Sequence, residues 1–227
     1  MDNKNGRNIV LTALLFVVFI AFTVLVCKVD VAAIGPMESS VGCAKINGFV
    51  AKLLPYNAFF YKITKYLGYL ALLICAVFAV LGLTELIKKK DLRKVDPKLV
   101  ILGIYYVIVF VFYAMFNFVV VNYRPVLEDG ALEASYPSSH TMLAVCVFMS
   151  TIVQISLGKG TDGFKKAVKI VMLVLTAVMV VGRLASGVHW FTDIVGGVLL
   201  SAALFMMYYT AVQYVEEARL NAEVIRP

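Results

Sequence analysis

The sequence predicts an all-α membrane protein, a bundle of six transmembrane helices. Of the 227 residues, 62% are hydrophobic and 15% are charged, which is more apolar surface than a water-soluble domain can cover. A helix needs about 20 mainly apolar residues to cross the hydrocarbon of a bilayer. The segments that meet this requirement are 9–27, 63–86, 99–121, 141–157, 167–184 and 191–214.

These segments leave no room for a separate soluble domain, so we expect a single domain over residues 1–227. Helices are favoured because hydrocarbon offers the backbone no hydrogen-bond partner, and no segment shows the alternation of a barrel strand. The first apolar segment is long for a signal peptide, and no small-residue cleavage site follows Val26. We therefore expect it to be retained as a transmembrane helix.

The charged residues predict the orientation. The net charge is +7, but the lysines and arginines lie in short runs between apolar segments, which indicates topology rather than nucleic-acid binding. Residues 88–98 hold six basic side chains and residues 158–169 hold four, whereas residues 122–140 hold three acidic side chains and one arginine. The positive-inside rule therefore places both basic segments and both termini in the cytoplasm, with 122–140 on the extracytoplasmic side.

A short amphipathic helix is predicted between the first two spans. Ile46, Phe49, Val50 and Leu53 recur at helical spacing, and Pro55 ends the pattern. The helix either lies in the headgroup layer or packs as a plug on the bundle. The aromatic residues that follow it are typical of a membrane boundary.

The cysteines predict no metal site. Cys27, Cys75 and Cys146 lie in apolar stretches, where buried thiols are common. Cys43 lies in a loop, and the sequence has no CxxC motif or histidine-rich pairing. A disulfide between Cys27 and Cys43 remains open.

The chemistry-bearing residues fall in three polar clusters. The chain has two histidines, His140 and His189, and both lie at outer ends of predicted spans. They belong to the clusters 136–140 and 182–193, and the third cluster is 122–125. Because the predicted topology brings all three to one face of the membrane, we expect them to form one site.

His189 and Asp193 form the first candidate pair. They are four residues apart, about one helical turn, so their side chains can share a face. A carboxylate bonded to one ring nitrogen leaves the other nitrogen as a nucleophile. Asp193 can instead cap the sixth helix, and the two roles are compatible.

Arg124 and Arg183 add positive charge to this face. Guanidinium groups bind phosphate oxygens in pairs, although each arginine can instead extend to a lipid headgroup or pair with a nearby carboxylate. Two arginines beside two histidines favour a phosphate site. The start of the fourth span, with Ser138 and Ser139, offers free N–H groups and hydroxyls for an anion. His140 there can protonate a leaving alkoxide and then activate a water.

These residues resemble the motifs of the type 2 phosphatidic acid phosphatase (PAP2) superfamily of membrane lipid phosphatases. The matching positions, within residues 117–193, are Arg124-Pro125, Pro137-Ser138-Ser139-His140, and the spaced set Arg183, His189 and Asp193.

The resemblance implies a six-helix fold and a role for each matching residue. His189 would attack phosphorus and form a phosphohistidine, supported by Asp193, while His140 would act as general acid and then general base. The groups that would hold the phosphate oxygens are the side chains of Arg124 and Arg183 and the backbone and hydroxyls of Ser138 and Ser139. The resemblance implies neither a metal nor a cofactor.

Three positions depart from the family pattern. Asn117 stands where the family has a lysine, Ser139 replaces a glycine, and Gly182 replaces a serine. A missing cation costs about 2–4 kcal/mol of transition-state stabilisation unless another group replaces it. We expect Asn117, Gly182 and Tyr136 at the margin of the pocket, with the asparagine and tyrosine as neutral donors.

The expected function is metal-independent hydrolysis of a membrane lipid phosphate or diphosphate at the outer face. Substrates of this kind are phosphatidate, phosphatidylglycerol phosphate and polyprenyl diphosphates, which are phospholipid and envelope intermediates. Two alternatives stay open. The same residues would support phosphate transfer to a second lipid, and the changes at Asn117 and Gly182 would fit a protein that binds lipid phosphates with little turnover.

Overall fold

The computed structural model describes residues 3–128 and 130–225. Over these residues the chain forms seven α-helices and no β-strand. The helices are α1 (Asn3–Lys28), α2 (Ala44–Leu53), α3 (Ala58–Lys89), α4 (Pro97–Phe118), α5 (Ser139–Leu157), α6 (Asp162–Ala185) and α7 (Phe191–Ile225). All except α2 are long and apolar enough to span a membrane. The predicted all-α fold with six spans is confirmed, and the protein is a multi-pass membrane protein.

The observed helices mostly extend beyond the predicted apolar segments. Helix α3 begins at Ala58 because the Asn57 side chain caps it by accepting hydrogen bonds from two N–H groups of its first turn. Helix α7 continues past residue 214 to Ile225 through polar residues that favour helix. In contrast, α4 ends at Phe118, before the predicted limit of 121. Hydropathy marks the hydrocarbon crossing, whereas capping and helix propensity set the ends.

Helices α5 and α7 form the centre of the bundle. Helix α5 packs against α3, α6 and α7, and most of its side chains in the middle turns are buried. Tyr105 of α4 stacks on Tyr208 of α7 with ring centroids 4.7 Å apart. The outer faces of α1, α3, α4 and α6 expose large apolar side chains, which suits contact with lipid.

The start of α1 and the later part of α7 lie at one end of the bundle. Near that end, the hydroxyl oxygens of Thr12 and Thr210 are 3.4 Å apart, and the Nζ of Lys98 lies 3.1 Å from a carboxylate oxygen of Glu216. The basic loop before α4 therefore shares the end of the termini. The segment 119–138 joins α4 to α5 at the opposite end. Which end faces the cytoplasm stays a prediction.

Helix α2 covers the end of the bundle opposite the termini. The fully buried Asn47 donates to the hydroxyl of Thr192 at 2.9 Å and accepts from the N–H of Thr192 at 3.1 Å. Phe49 and Leu53 remain largely exposed on the other face. Helix α2 thus packs on the start of α7 and also presents an apolar face suited to the headgroup layer.

The cysteines are all free, so the open question of a Cys27–Cys43 disulfide is answered. Cys43, Cys75 and Cys146 are buried, whereas Cys27 is exposed on α1. The expectation of a buried thiol at Cys27 was wrong, because that face of α1 packs against no other helix.

The turn before His189 requires a glycine. Gly187 has φ +66°, and a Cβ there would lie 2.7 Å from backbone atoms of Pro55 and Tyr56.

We expect Gly187→Ala to lower the free energy of unfolding by about 2–4 kcal/mol through backbone strain and overpacking. Thermal unfolding of the detergent-solubilised protein measures this. Gly163→Ala is the control, because no atom lies within 4 Å of its Cβ position in α6, and an unchanged midpoint for Gly187→Ala contradicts the prediction.

Candidate active site

The three polar clusters meet at the end of the bundle opposite the termini. The N–H of Ser138 donates to the carbonyl of Asp193 at 2.9 Å, which ties the start of α5 to the start of α7. The indole N–H of Trp190 donates to the carbonyl of Tyr123 at 2.7 Å, which ties the third cluster to both. The structure therefore brings the clusters together as the topology predicts.

Asp193 both caps α7 and faces His189. It is the third residue of α7, and its Oδ2 accepts a hydrogen bond from the N–H of Trp190 at 2.9 Å. The same oxygen lies 3.6 Å from Nδ1 of His189. A carboxylate at this position satisfies the start of the helix and favours it through the helix dipole. One oxygen of Asp193 therefore caps α7 and also lies beside Nδ1 of His189, while the catalytic role of this pair stays a prediction.

His189 is a buried, neutral imidazole. Its side chain is 1% exposed, and within the described residues neither ring nitrogen has a hydrogen-bond partner. Burial, followed by the positive charges of Arg183 and Arg124, holds the pKa of His189 well below its ordinary value. At neutral pH the ring therefore keeps a free lone pair. Nδ1 is the ring nitrogen that lies beside Asp193, and Nε2 is buried without a protein partner among the described residues.

Asn122 holds Asp193 from the other side, a contact that has no signal in the sequence spacing. Its amide Nδ2 lies 3.3 Å from Oδ1 of Asp193, and its Oδ1 accepts from the N–H of Gly42 at 3.1 Å. Asn122 is 1% exposed. Two carboxylate oxygens are thus bound by two different segments, the segment after α4 and the turn before α7.

Arg183 is the more deeply buried of the two arginines of the site. It lies in the last turn of α6 and is fully buried, with Nη1 3.3 Å from the hydroxyl of Thr64 and Cζ 5.4 Å from the ring centroid of Tyr61. Among the residues that the structure describes, no carboxylate lies within 4 Å of this guanidinium. Both Thr64 and Tyr61 belong to α3, a helix in which sequence reasoning found no site residue.

Arg124 is held by two carboxylates. The segment 119–138 folds back on itself, with Tyr123 bridging to Ala134, and this places Arg124 beside acidic neighbours. Its Nη1 contacts a carboxylate oxygen of Glu128, and its Nη2 lies 3.2 Å from one of Glu133. Asp129, the third acidic residue here, lies outside the described residues. Arg124 thus differs from Arg183 in having its charge compensated.

His140 lies in the first turn of α5 and is half-buried. Its Nδ1 is 3.5 Å from Nη2 of Arg183. A guanidinium can only donate, so Nδ1 accepts and the ring proton lies on Nε2. A Cβ at Gly68 of α3 would lie 2.9 Å from the imidazole, so a glycine is needed for the ring to fit here.

Ser138 and Ser139 are placed differently from each other. Ser138 is fully buried, its N–H is used by Asp193, and its hydroxyl accepts from Thr141 at 3.0 Å. Ser138 therefore joins α5 to α7, and its N–H already has a backbone acceptor, while a role of Ser138 in binding phosphate stays a prediction. The first backbone bond of α5 runs from the N–H of Met142 to the carbonyl of Ser138. The N–H groups of Ser139 and His140 precede that bond and are free for an anion.

Asn117 and Tyr136 lie apart from the arginines. The Asn117 amide donates to the carbonyl of Tyr113 in its own helix at 3.0 Å, and the residue is exposed at the end of α4. Tyr136 is 1% exposed, and its hydroxyl lies 2.8 Å from that of Thr23. Tyr136 is therefore a core residue that packs α1 against the site segment. The hydrogen-bond partners of these two side chains are therefore Tyr113 and Thr23, and neither partner is a histidine.

Gly182 is a packing position between α6 and α3. A Cβ there would lie 3.0 Å from Cγ2 of Thr64. The glycine lets α3 approach closely enough for Thr64 to contact Arg183. Its role in the structure is to admit α3, and a serine at this position would crowd Thr64.

Within the described residues no cluster of His, Cys, Asp or Glu is arranged to hold a metal ion.

The fold and site define a six-span helical membrane protein with a buried His–Asp pair between two arginines. The family model of the PAP2 superfamily matches residues 71–217, which contain the three clusters. The chain therefore belongs to the PAP2 superfamily, the family whose motifs its sequence resembles.

One solved structure shares this fold. It is the crystal structure of a transmembrane PAP2-type phosphatidylglycerolphosphate phosphatase from Bacillus subtilis, with a TM-score of 0.57 and 20% sequence identity. The match covers 90% of this chain and 96% of the other. No curated protein matches the chain.

The contact between Asn122 and Asp193 predicts a difference between two asparagines. Asn122→Ala removes a donor from a buried carboxylate, so we expect it to lower the free energy of unfolding by about 1.5–3 kcal/mol. Asn117→Ala removes only a bond to the carbonyl of its own helix, so we expect a change within about 0.5 kcal/mol. Thermal unfolding in one detergent compares them, and equal midpoints would show that Asn122 does not support Asp193.

Proposed function

We propose that the protein is a metal-independent lipid phosphate or diphosphate phosphatase that acts through a phosphohistidine on His189. The observation that supports this most directly is the neutral His189 ring, buried, with Nδ1 facing Asp193 and with Arg183 and Arg124 as the charges acting on it. A buried lone pair beside guanidinium groups is suited to attack a phosphorus whose oxygens those groups bind.

In the first step, Nε2 of His189 forms a bond to phosphorus while the bond from phosphorus to the leaving oxygen breaks. Arg183, Arg124 and the free N–H groups at the start of α5 bind the other oxygens. When the phosphate takes over the donors of Arg183, Nδ1 of His140 is released and takes up a proton. The resulting imidazolium donates its Nε2 proton to the leaving oxygen.

In the second step, a water attacks the phosphohistidine. His140, now neutral, takes a proton from the water as the bond between nitrogen and phosphorus breaks. Inorganic phosphate leaves, and His140 returns to solvent the proton that it took from solvent in the first step, so that both histidines are neutral again. Asp193 keeps its hydrogen-bond partners throughout and holds the ring by Nδ1.

We place the site at the extracytoplasmic face, because the basic segment 88–98 and the termini share the opposite end of the bundle. Lipid phosphates or diphosphates exposed in the outer leaflet are then the substrate class. Phospholipid intermediates belong to this class, and the protein of shared fold is a phosphatidylglycerolphosphate phosphatase.

Removing the nucleophile tests the mechanism. We expect His189→Asn to lower phosphate release from a lipid phosphate in detergent micelles at least about 1,000-fold with a chelator present. The wild-type protein should keep its rate in the chelator, because guanidinium groups stabilise the charge. A His189→Asn protein that releases phosphate at the wild-type rate would show that the nucleophile is another group.

A pair of aspartates tests the role of the carboxylate. Asp193→Asn should lower kcat at least about 100-fold, because an amide no longer orients the neutral ring with its lone pair outward. Asp162→Asn, at an exposed position in the first turn of α6, should leave kcat unchanged. Equal rates for the two variants would remove Asp193 from the mechanism.

The same assays separate the two alternatives. Label transferred from a lipid phosphate to an added lipid alcohol indicates a phosphotransferase. Anion binding without release of phosphate indicates a lipid-phosphate-binding protein, a function that the orientation of the Asn117 amide toward its own helix would favour. Release of inorganic phosphate as the sole labelled product supports the proposed hydrolase.

A further inference from the structure

A carboxylate is bound between the site arginines and α3. Oε1 of Glu128 accepts a hydrogen bond from the Tyr61 hydroxyl at 2.6 Å, and Oε2 contacts Nη1 of Arg124. The same Tyr61 ring lies under the guanidinium of Arg183, with 5.4 Å between Cζ and the ring centroid. An oxyanion bound by one arginine and one hydroxyl, beside a second arginine, has the environment that a phosphate requires.

Glu128 is charged in this environment. Burial by itself would raise its pKa, but the hydrogen bond from Tyr61 and the positive charges of Arg124 and Arg183 hold the pKa of Glu128 below its ordinary value. Glu133 also pairs with Arg124, but through Nη2 at 3.2 Å and with a more exposed side chain, 47% against 32%. The carboxylate that faces Tyr61 is that of Glu128.

A substrate phosphate and Glu128 compete for the same donors. Glu128 and Glu133 offset part of the positive charge of Arg124, Arg183 and Lys65, whose Nζ lies 5.9 Å from the ring centroid of Tyr61. A phosphate adds about −1.5 to −2 charges at neutral pH. Glu128 already uses Nη1 of Arg124 and the Tyr61 hydroxyl, so a phosphate can bind these two donors only by taking the place of the carboxylate.

The backbone around Glu128 allows that exchange. Its N–H donates to the carbonyl of Ala131 at 3.2 Å, and the N–H of Ala131 donates back at 3.0 Å, so the turn is closed on itself. The Glu128 side chain can therefore rotate toward solvent without breaking a helix. The Tyr61 hydroxyl is then free to donate its hydrogen bond to the incoming anion.

We propose that Tyr61 is a substrate-binding residue of the phosphate subsite, and that Glu128 is an internal ligand which occupies this subsite until the substrate phosphate displaces it. The inference rests on the proposed function and adds α3 to the binding site. Glu128 then lowers the affinity of the protein for its substrate, because the substrate phosphate must displace a carboxylate that belongs to the same chain.

The probe for this proposal is orthovanadate, a phosphate analogue, and the reporter is the single tryptophan of the chain, Trp190, which adjoins His189. We expect Glu128→Gln to lower the Kd for orthovanadate about tenfold, because the competing charge is lost while the shape is kept. Glu133→Gln is the matched control, and we expect its Kd to change less than about threefold. Thermal unfolding of each variant in the same detergent confirms that it is folded.

Tyr61 is tested in the Glu128→Gln background, where the carboxylate no longer uses its hydroxyl. Adding Tyr61→Phe should raise the Kd about tenfold, since one donor to the anion is lost. Adding Tyr66→Phe, an exposed tyrosine on the same helix, should leave the Kd unchanged. Equal Kd values for the two double variants would remove Tyr61 from the subsite.

The outcome does not depend on turnover. If Glu128→Gln binds orthovanadate no more tightly than Glu133→Gln, the internal-ligand proposal is wrong even where phosphate is released from lipids. If the wild-type protein releases no phosphate but the Glu128 and Tyr61 variants shift the Kd as expected, the subsite is supported and the proposed hydrolase activity is not.

Discussion

The fully buried carboxylate of Asp193 is the constraint on which the site depends. A carboxylate without water at the start of a membrane helix is unfavourable unless every lone pair has a partner. Here the N–H of Trp190, the Asn122 amide and the positive end of α7 provide those partners. Each partner also positions something else, because Trp190 follows His189 and Asn122 fixes the segment that carries Arg124. The requirement to satisfy one charge therefore brings His189, the proposed nucleophile, together with the segment that carries Arg124.

The two arginines of the site differ in how their positive charge is compensated. Arg124 is compensated by carboxylates, whereas the buried Arg183 is held by a hydroxyl, a tyrosine ring and the imidazole of His140. A guanidinium buried against neutral groups retains most of its capacity to bind an anion. Helix α3 makes this burial feasible, because the glycine at position 182 admits Thr64. In the proposed function, this uncompensated charge binds oxygens of the phosphate on His189.

The parts of the site that depend on local spacing could be predicted from the sequence. The six apolar segments predict the spans, and four residues between His189 and Asp193 predict a shared face. Asn122 falls in a predicted cluster, but its contact with Asp193 could not be predicted, and Tyr61 was missed altogether. Both residues act between segments far apart in sequence, and such contacts follow no period. Ser138 shows the converse, since its motif position suggested phosphate binding but its N–H is used to join α5 to α7. Its motif position gave no indication of which backbone donors the fold itself uses.

The central claim is that phosphate is carried on His189, and trapping the intermediate tests it most directly. Wild-type protein is mixed with a ³²P-labelled lipid phosphate, quenched within milliseconds in alkaline detergent, digested and analysed by mass spectrometry. The account predicts label on the peptide that contains His189, stable in alkali and lost in acid, and absent from the His189→Asn protein. Label on another residue, or phosphate release in single turnovers with no labelled protein, would contradict the account.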